Sequence, residues 1–404
     1  MLSISISKDI SLYINYLDVI GNNRKNITGA GLGFSKKEAE ISAFGEYIER
    51  YVSSFQINNG LIHGSFNDLR DTYACYSPKS LEYFNKNQYE SDTFELKQWR
   101  EDSIIHWSKS CNYFSGEQIL LPYFMTHTEN IITDGRFHIN TSTGTACHIS
   151  IKKAVQSGLL ECIERDAFCK FWYLQRNNRY RKFSENFILN QYPQDRIIEQ
   201  LFNNKKVKII TYDISEYAYC PTFVVFILFK RKGRLLQSCG SASRLHHQEA
   251  LIKACVEAYQ GIDYADQLTF ELKEEIPIEK VNQRDFSMIN SFRKHYALYC
   301  LYPELRNEVP ILKDVFGFSH YSNDWKEAYE HHVSDFSNEE LKSKRLDEIY
   351  YTILSDPNII PAGYEVVKVT TPKLHLLTGN FNYPYLGLFS DKEDLFTQMP
   401  HFFP

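Results

Sequence analysis

Apolar positions recur with a helical period in three stretches of the chain, and each stretch carries acidic residues on its polar side. The first follows Gly29-Ala30-Gly31-Leu32-Gly33-Phe34. There Ser35-Lys36-Lys37-Glu38 forms a capping box, with the Ser35 hydroxyl accepting an amide hydrogen while Glu38 reaches back, and predicts a helix running to about Phe55. The second helix is predicted from Ser150, its N-cap, through Trp172, and the third from His247 or Gln248 past Gln260. Between the last two lie strand-like runs, Val207 to Tyr212, Thr222 to Phe229 and Leu235 to Cys239. Arg231-Lys232-Gly233-Arg234 is the hairpin turn joining the latter pair. Tyr364 to Thr371 alternates as a further strand, and the polar region from Glu274 to Pro361 is expected to supply peripheral helices and loops. No stretch is low in complexity and none reads as a linker, so residues 1–404 are expected to form one α+β unit with lobes.

The polar side of the first two helices is a near-repeat. Ser42-Ala43-Phe44-Gly45-Glu46-Tyr47-Ile48-Glu49-Arg50 and Ser157-Gly158-Leu159-Leu160-Glu161-Cys162-Ile163-Glu164-Arg165 both spell S-x-x-x-E-x-x-E-R. At helical spacing the Ser and both Glu share one face. Carboxylates without partners are costly to bury, yet Phe44, Ile48, Leu159, Leu160 and Ile163 mark these helices as internal. One copy alone is the pattern of a solvated Glu-Arg surface helix; two copies with matched apolar positions are not. Facing one another, they would gather four carboxylates that repel unless cations neutralise them. Mg²⁺ ions clamped between carboxylates and a triphosphate meet that need, since Mg²⁺ takes oxygen ligands and is commonly shared with phosphates. The third helix adds Lys253, Glu257 and Gln260 along one stripe, a cation, a carboxylate and an amide.

Bulk properties narrow the setting. With 43% hydrophobic and 15% aromatic residues the chain is a folded protein with a large core, not a disordered one. A net charge of −5 gives no global attraction to nucleic acid or anionic membrane. The N-terminus lacks the basic start and apolar stretch of a signal peptide, and Phe223 to Phe229 is too short to cross a bilayer. Nine cysteines without a C-x-x-C pair are expected to be reduced core thiols in a cytoplasmic protein, with no structural zinc site.

Three ordered motifs, G-x-G-x-G before the first acidic repeat, a small-residue loop before the second, and Ala250-Leu251-Ile252-Lys253-Ala254-Cys255-Val256-Glu257-Ala258-Tyr259-Gln260, make the chain resemble the YcaO family. The matched segments are 29–50, 140–166 and 240–260. The resemblance implies a YcaO-type fold with acidic helices packed on mainly antiparallel sheets, and the cofactors ATP and Mg²⁺. It implies Glu46, Glu49, Glu161, Glu164 and Glu257 as metal ligands, and nucleotide contacts from Ser42, Glu46, Arg50, Glu161, Arg165, Lys253, Glu257 and Gln260. Two positions depart from the family pattern: Ala30 stands where a Lys is frequent between the glycines, and Thr143 where an Asn is common. The missing Lys leaves neutralisation of the phosphates to metal, to Lys253 or to a residue the sequence does not identify.

Azoline-forming members end in P-x-P-x-P, a tail lining the active site. Here the end is Met399-Pro400-His401-Phe402-Phe403-Pro404, with Pro400 and Pro404 at the outer positions and Phe402 in the middle. The implied activity is a cyclodehydratase that converts Cys, Ser or Thr of a ribosomal precursor peptide to thiazoline or oxazoline. Pro400 and Pro404 are expected to align the reacting amide, within a segment 391–404 whose last three residues serve rate more than stability. No leader-binding module is legible, so a separate leader-binding protein is expected, with a flavin dehydrogenase as a possible further partner. The assembly is expected to be a homodimer or a multi-subunit synthetase. The alternatives are a thioamide- or amidine-forming relative, or a non-catalytic nucleotide-binding scaffold.

Overall fold

The structure, a computed structural model, describes residues 2–5, 11–19, 27–55, 60–128, 134–174, 180–316, 341, 346–354, 363–389 and 397–403. Among these, four helices have ten residues or more: α1 (Lys36–Phe55), α2 (Ile151–Tyr173), α3 (His247–Glu271) and α4 (Phe292–Leu301). The starts of α1 and α2 lie where their caps place them. Glu38 N donates to Ser35 Oγ at 3.2 Å while Glu38 accepts from Ser35 N, and Ser150 Oγ accepts from Lys153 N.

Among the described residues the strands form three sheets. The first joins β1 (Leu2–Ser5), β2 (Ser11–Val19) and β3 (Ile27–Gly33). The second contains β4 (Ile62–Gly64), β5 (Ile105–Asn112), β6 (Gln118–Pro122), β7 (Thr145–His148), β12 (Tyr350–Ile353) and β13 (Glu365–Thr370). Its order is β4-β5-β12-β13-β7, with β6 paired to β5. The third joins β8 (Arg181–Phe183), β9 (Val207–Asp213), β10 (Thr222–Arg231) and β11 (Arg234–Ser243) in the order β11-β10-β9-β8. All strand pairs are antiparallel, apart from an isolated parallel bridge between Cys75 and Leu120. Lys232 and Gly233 both take positive φ, 49° and 77°, which closes the β10–β11 hairpin with the twist its strands require.

Among its described residues, the region after Glu274 is not wholly peripheral as its polarity suggests. Residues His295 to Cys300 of α4 are buried, and β12 pairs with β5 on one side and β13 on the other. Its tyrosines, flanked by charged residues, do not stand out as a central strand in the sequence.

The glycines ahead of α1 are themselves a strand, and they set how close that helix comes. A β-carbon at Gly31 would lie 2.1 Å from Ala43 N, so backbone meets backbone. The second repeat copies the arrangement: a β-carbon at Gly158 would lie 2.5 Å from Gly144 O. Ala43 and Gly158 occupy matched positions, directly after the Ser of each repeat. Both acidic helices thus rest on a glycine-bearing segment with no side chain between.

The largest core forms among β9, β10, β11, α2, α3 and α4. All nine cysteines are free, six of them buried. No helix among the described residues is long and apolar enough to cross a membrane.

Candidate active site

On α1, Glu46 Oε2 accepts from Ala30 N of β3 at 2.7 Å, while Oε1 pairs with Arg50 Nη2 at 2.5 Å. Arg50 also donates to Thr28 O at 2.8 Å, which turns it back along β3. On α2, Glu161 accepts from Gly144 N at 3.4 Å and lies 3.6 Å from Arg165, whose other terminal nitrogen donates to Glu164 at 2.9 Å. On α3, Lys253 and Glu257 pair at 3.2 Å, with the half-buried Gln260 next along the stripe. Ser42 is exposed one turn before Glu46. Glu49 makes no hydrogen bond or ion pair among the described residues.

These side chains share one electrostatic field. Burial raises the pKa of all four repeat glutamates, Glu49 well above the usual carboxylate range and Glu164 to about 8. After burial, the charge that most raises Glu49 is Glu161, on the other repeat helix. Glu257 of α3 in turn raises Glu46, Glu161 and Glu164. The three acidic helices therefore converge, as their sequences suggest. Burial opposes the charge of Arg165, but Glu164, Glu161 and Glu257 together hold its pKa above the ordinary value.

The carboxylates do not form a closed cage: among the described residues no three His, Cys, Asp or Glu side chains are placed to hold a metal by themselves. Each repeat glutamate except Glu49 instead leans on a local arginine or backbone amide. An all-oxygen, under-neutralised donor set fits Mg²⁺ brought in with phosphates, because that ion keeps few protein ligands. Glu46, Glu49, Glu161, Glu164 and Glu257 would supply those ligands.

One charged group escaped the sequence. Lys368, in the middle of β13, is 4% exposed, and its Nζ donates to Thr141 O at 2.5 Å. Burial lowers its pKa to about 8, partly offset by Cys162, Glu161 and Glu49. It lines a small cavity with Thr141, Thr143, His127, His138 and Cys162 on its polar part and Phe124, Met125 and Val369 among its apolar walls. The signal was a lone Lys inside the apolar run Val366-Val367-Lys368-Val369. A second omission is Asp166, directly after the second repeat and fully buried. It accepts from Lys170 Nζ and pairs with His375 Nδ1, each at 2.6 Å, and accepts from His375 N at 2.9 Å.

The tail lies against α2. Tyr299 Oη donates to Pro400 O at 2.6 Å, Trp172 Nε1 to Met399 O at 3.3 Å, and His401 stacks on His295 with centroids 3.7 Å apart. Arg165 sits over the Phe403 ring at 4.2 Å. Phe402 is fully buried against Phe168, Trp172 and Phe226. Phe402 is part of the main core, so losing Phe402 to Pro404, expected to serve rate more than stability, also carries a stability cost. Pro400 is buried there too; Pro404 and residues 391–396 lie outside the described residues.

Converging carboxylates rimmed by arginine and lysine, on helices cradled by backbone, fit a site for metal and phosphate. The family model described as YcaO cyclodehydratase, ATP- and Mg²⁺-binding, matches residues 30–375. The chain belongs to the YcaO family, and its cofactors are ATP and Mg²⁺. Among solved structures it is similar to a heterocyclase in complex with substrate and cofactor, at TM-score 0.65 and 17% identity over 86% of this chain and 44% of the other. It spans about half the length of that protein and of the heterocyclase TruD, 44% and 50%. It also resembles a chain of the E. coli microcin synthetase McbBCD complex, at TM-score 0.59 and 19% identity over 93% of this chain and 92% of that one. YcaO from Methanopyrus kandleri, bound with AMPPCP and Mg²⁺, matches at TM-score 0.53 and 14% identity over 100% of this chain and 90% of the other. At these identities the likeness is one of fold. A search of curated proteins found none that matches.

Proposed function

We propose that this chain is an ATP- and Mg²⁺-dependent cyclodehydratase acting on the backbone of a ribosomal peptide. The observation that carries the reading is the confrontation of Glu49 and Glu161 across two repeat helices, with the tail held under Arg165. In this reaction a Cys thiol, or a Ser or Thr hydroxyl, of the substrate attacks the preceding amide carbonyl. The resulting oxyanion takes the γ-phosphoryl group of ATP, releasing ADP. Loss of phosphate, with the proton from the amide nitrogen, then leaves the C=N bond of the thiazoline or oxazoline. Bound Mg²⁺ supplies charge neutralisation for the phosphoryl group in flight.

The protein's task is alignment and charge. Glu46, Glu49, Glu161, Glu164 and Glu257 hold the cations. Ser42, Lys253, Gln260, Arg50 and Arg165 contact the nucleotide or orient the carboxylates, and the tail around Pro400 and Pro404 positions the reacting amide. A separate leader-binding protein presents the peptide; similarity over most of a chain from a multi-subunit synthetase supports that arrangement.

The test combines calorimetry and mass spectrometry. Wild type should bind MgATP, and Glu46→Gln and Glu161→Gln should each weaken binding and turnover at least tenfold, about 1.4 kcal/mol. With partner and precursor, each turnover should remove one water from the peptide. Unchanged MgATP affinity in both variants would sink the site assignment. Exchange of a backbone oxygen for sulfur, with no ring formed, would replace cyclodehydration by thioamide chemistry.

A further inference from the structure

Four successive carbonyls of the tail each accept from a side chain of the main core. Trp172 Nε1 of α2 donates to Met399 O at 3.3 Å, and Tyr299 Oη of α4 to Pro400 O at 2.6 Å. His295 Nδ1, also of α4, donates to His401 O at 3.1 Å, and Cys239 Sγ of β11 to Phe402 O at 3.5 Å. His295 and Tyr299 stand one turn apart, so one face of α4 holds two consecutive residues of the tail. Phe402, unlike a proline, does not fix its own φ, and the backbone here is held by hydrogen bonds from outside.

His401 makes the remaining connections, and its two ring nitrogens meet opposite demands. Thr378 O can only accept, so the proton sits on Nε2, 3.0 Å away; Phe403 N can only donate, so Nδ1 is bare, at 3.2 Å. The partners thus select one tautomer of a neutral imidazole. His295, stacked on it with centroids 3.7 Å apart, takes the opposite tautomer, its proton on Nδ1 toward His401 O. Burial keeps both rings neutral, pushing the pKa of His401 down to about 4 and that of His295 well below its ordinary value. The bond from Phe403 N also fixes where the Phe403 ring leaves the tail, and that ring meets the Arg165 guanidinium at 4.2 Å.

We propose that His401 is a positioning residue of the active site: its bare Nδ1 holds the Phe403 amide, and through the Phe403 ring it fixes Arg165 beside the second acidic repeat. This rests on the reading of the tail as the element that aligns the reacting amide.

The experiment compares wild type, His401→Ala and His401→Asn, with partner and precursor. Asparagine Oδ1 reproduces the bare Nδ1, because an Asx side chain accepts from the amide two residues on, but it is one atom too short to replace Nε2. His401→Ala should lower kcat for ring formation by about tenfold or more, with MgATP affinity within about threefold of wild type. His401→Asn should recover most of that rate without recovering stability, since its amide leaves a buried donor unpaired. In a merely structural role, rate would follow stability in both variants. Amide hydrogen exchange, read by mass spectrometry, gives a measurement apart from activity. Phe403 N–H should be protected in wild type, unprotected in His401→Ala and protected again in His401→Asn. If His401→Ala does not fold, imidazole ¹⁵N spectra of wild type decide, the His401 signals being those absent from His401→Asn: Nδ1 should be bare and Nε2 protonated. A rate in His401→Asn no higher than in folded His401→Ala, exchange at Phe403 unchanged by His401→Ala, or a proton on Nδ1 overturns the proposal. If wild type forms no ring, the functional reading falls, and exchange and tautomer still decide whether His401 holds Phe403.

Discussion

The two tail aromatics should separate stability from turnover. Phe402 is fully buried, packed edge-on to Phe168 and Trp172 with centroids 5.3 Å from each, and 4.5 Å from Phe226. Truncation to alanine leaves a cavity the size of a ring in a core with no open side, at a cost of about 3–5 kcal/mol. Phe403 is also buried, but one of its faces meets the Arg165 guanidinium at 4.2 Å. Phe403→Leu keeps most of the apolar volume and removes the π face, so the fold should lose only about 1 kcal/mol. The cation–π contact itself is worth about 0.5–2 kcal/mol, toward the upper end where desolvated. If that energy holds Arg165 at the phosphates, the variant should lose roughly 2- to 30-fold in kcat/KM. Urea unfolding and steady-state ATPase with peptide, run on both variants, give the comparison. Phe402→Ala unfolding within 1 kcal/mol of wild type, or Phe403→Leu turning over at the wild-type rate, would refute the reasoning.

Other consequences can be checked as directly. The carboxyl of Glu164 titrates near 8 in the fold against 4.5 for the free group, so the native state binds more protons between those values. Metal-free protein should therefore lose stability as pH rises from about 4.5 to about 8, and Glu164→Gln should flatten that slope in thermal melts. Asp166→Asn strips the anion from a buried cluster with Lys170 and His375 and should cost about 3–5 kcal/mol by chemical denaturation. Gly31→Ala drives a methyl group into the backbone of α1; it should destabilise the protein by about 1–3 kcal/mol and weaken MgATP binding, read by melting and calorimetry.

The three acidic helices were legible because their chemistry and their periodicity agree: Ser35 with Glu38 and Ser150 announce the starts, and the repeat supplies the face. The β10–β11 hairpin was legible from Lys232-Gly233, and β13 from its alternation. What stayed hidden depends on contacts distant in sequence. β12 is four residues in a polar region and becomes central only because β5 and β13 flank it. Lys368 reads as a strand lysine until Glu49 and Glu161, far apart along the chain, come within electrostatic reach of it. The tail's aromatic content signalled docking but not depth; Phe402 gains its place from α2 and β10, which no local pattern specifies. The glycines before α1 were visible, but their purpose was not: backbone contact with Ala43 is invisible in a one-dimensional pattern.

That contact changes what the core is free to become. When a helix stands off its sheet on interlocking side chains, every exchange of Leu for Ile or Phe alters the separation, and anything mounted on the helix moves with it. Here α1 rests on main chain at Gly31 and α2 at Gly144, where there is no side chain to resize. The distance from each supporting segment to its glutamates is set by peptide geometry, the same in any sequence that keeps those glycines. Most of the remaining interior can then be repacked without moving the carboxylates relative to one another. A designer could treat the two glycine seats as fixed datum points and the large core among α2, α3, α4 and β9 to β11 as freely variable filling.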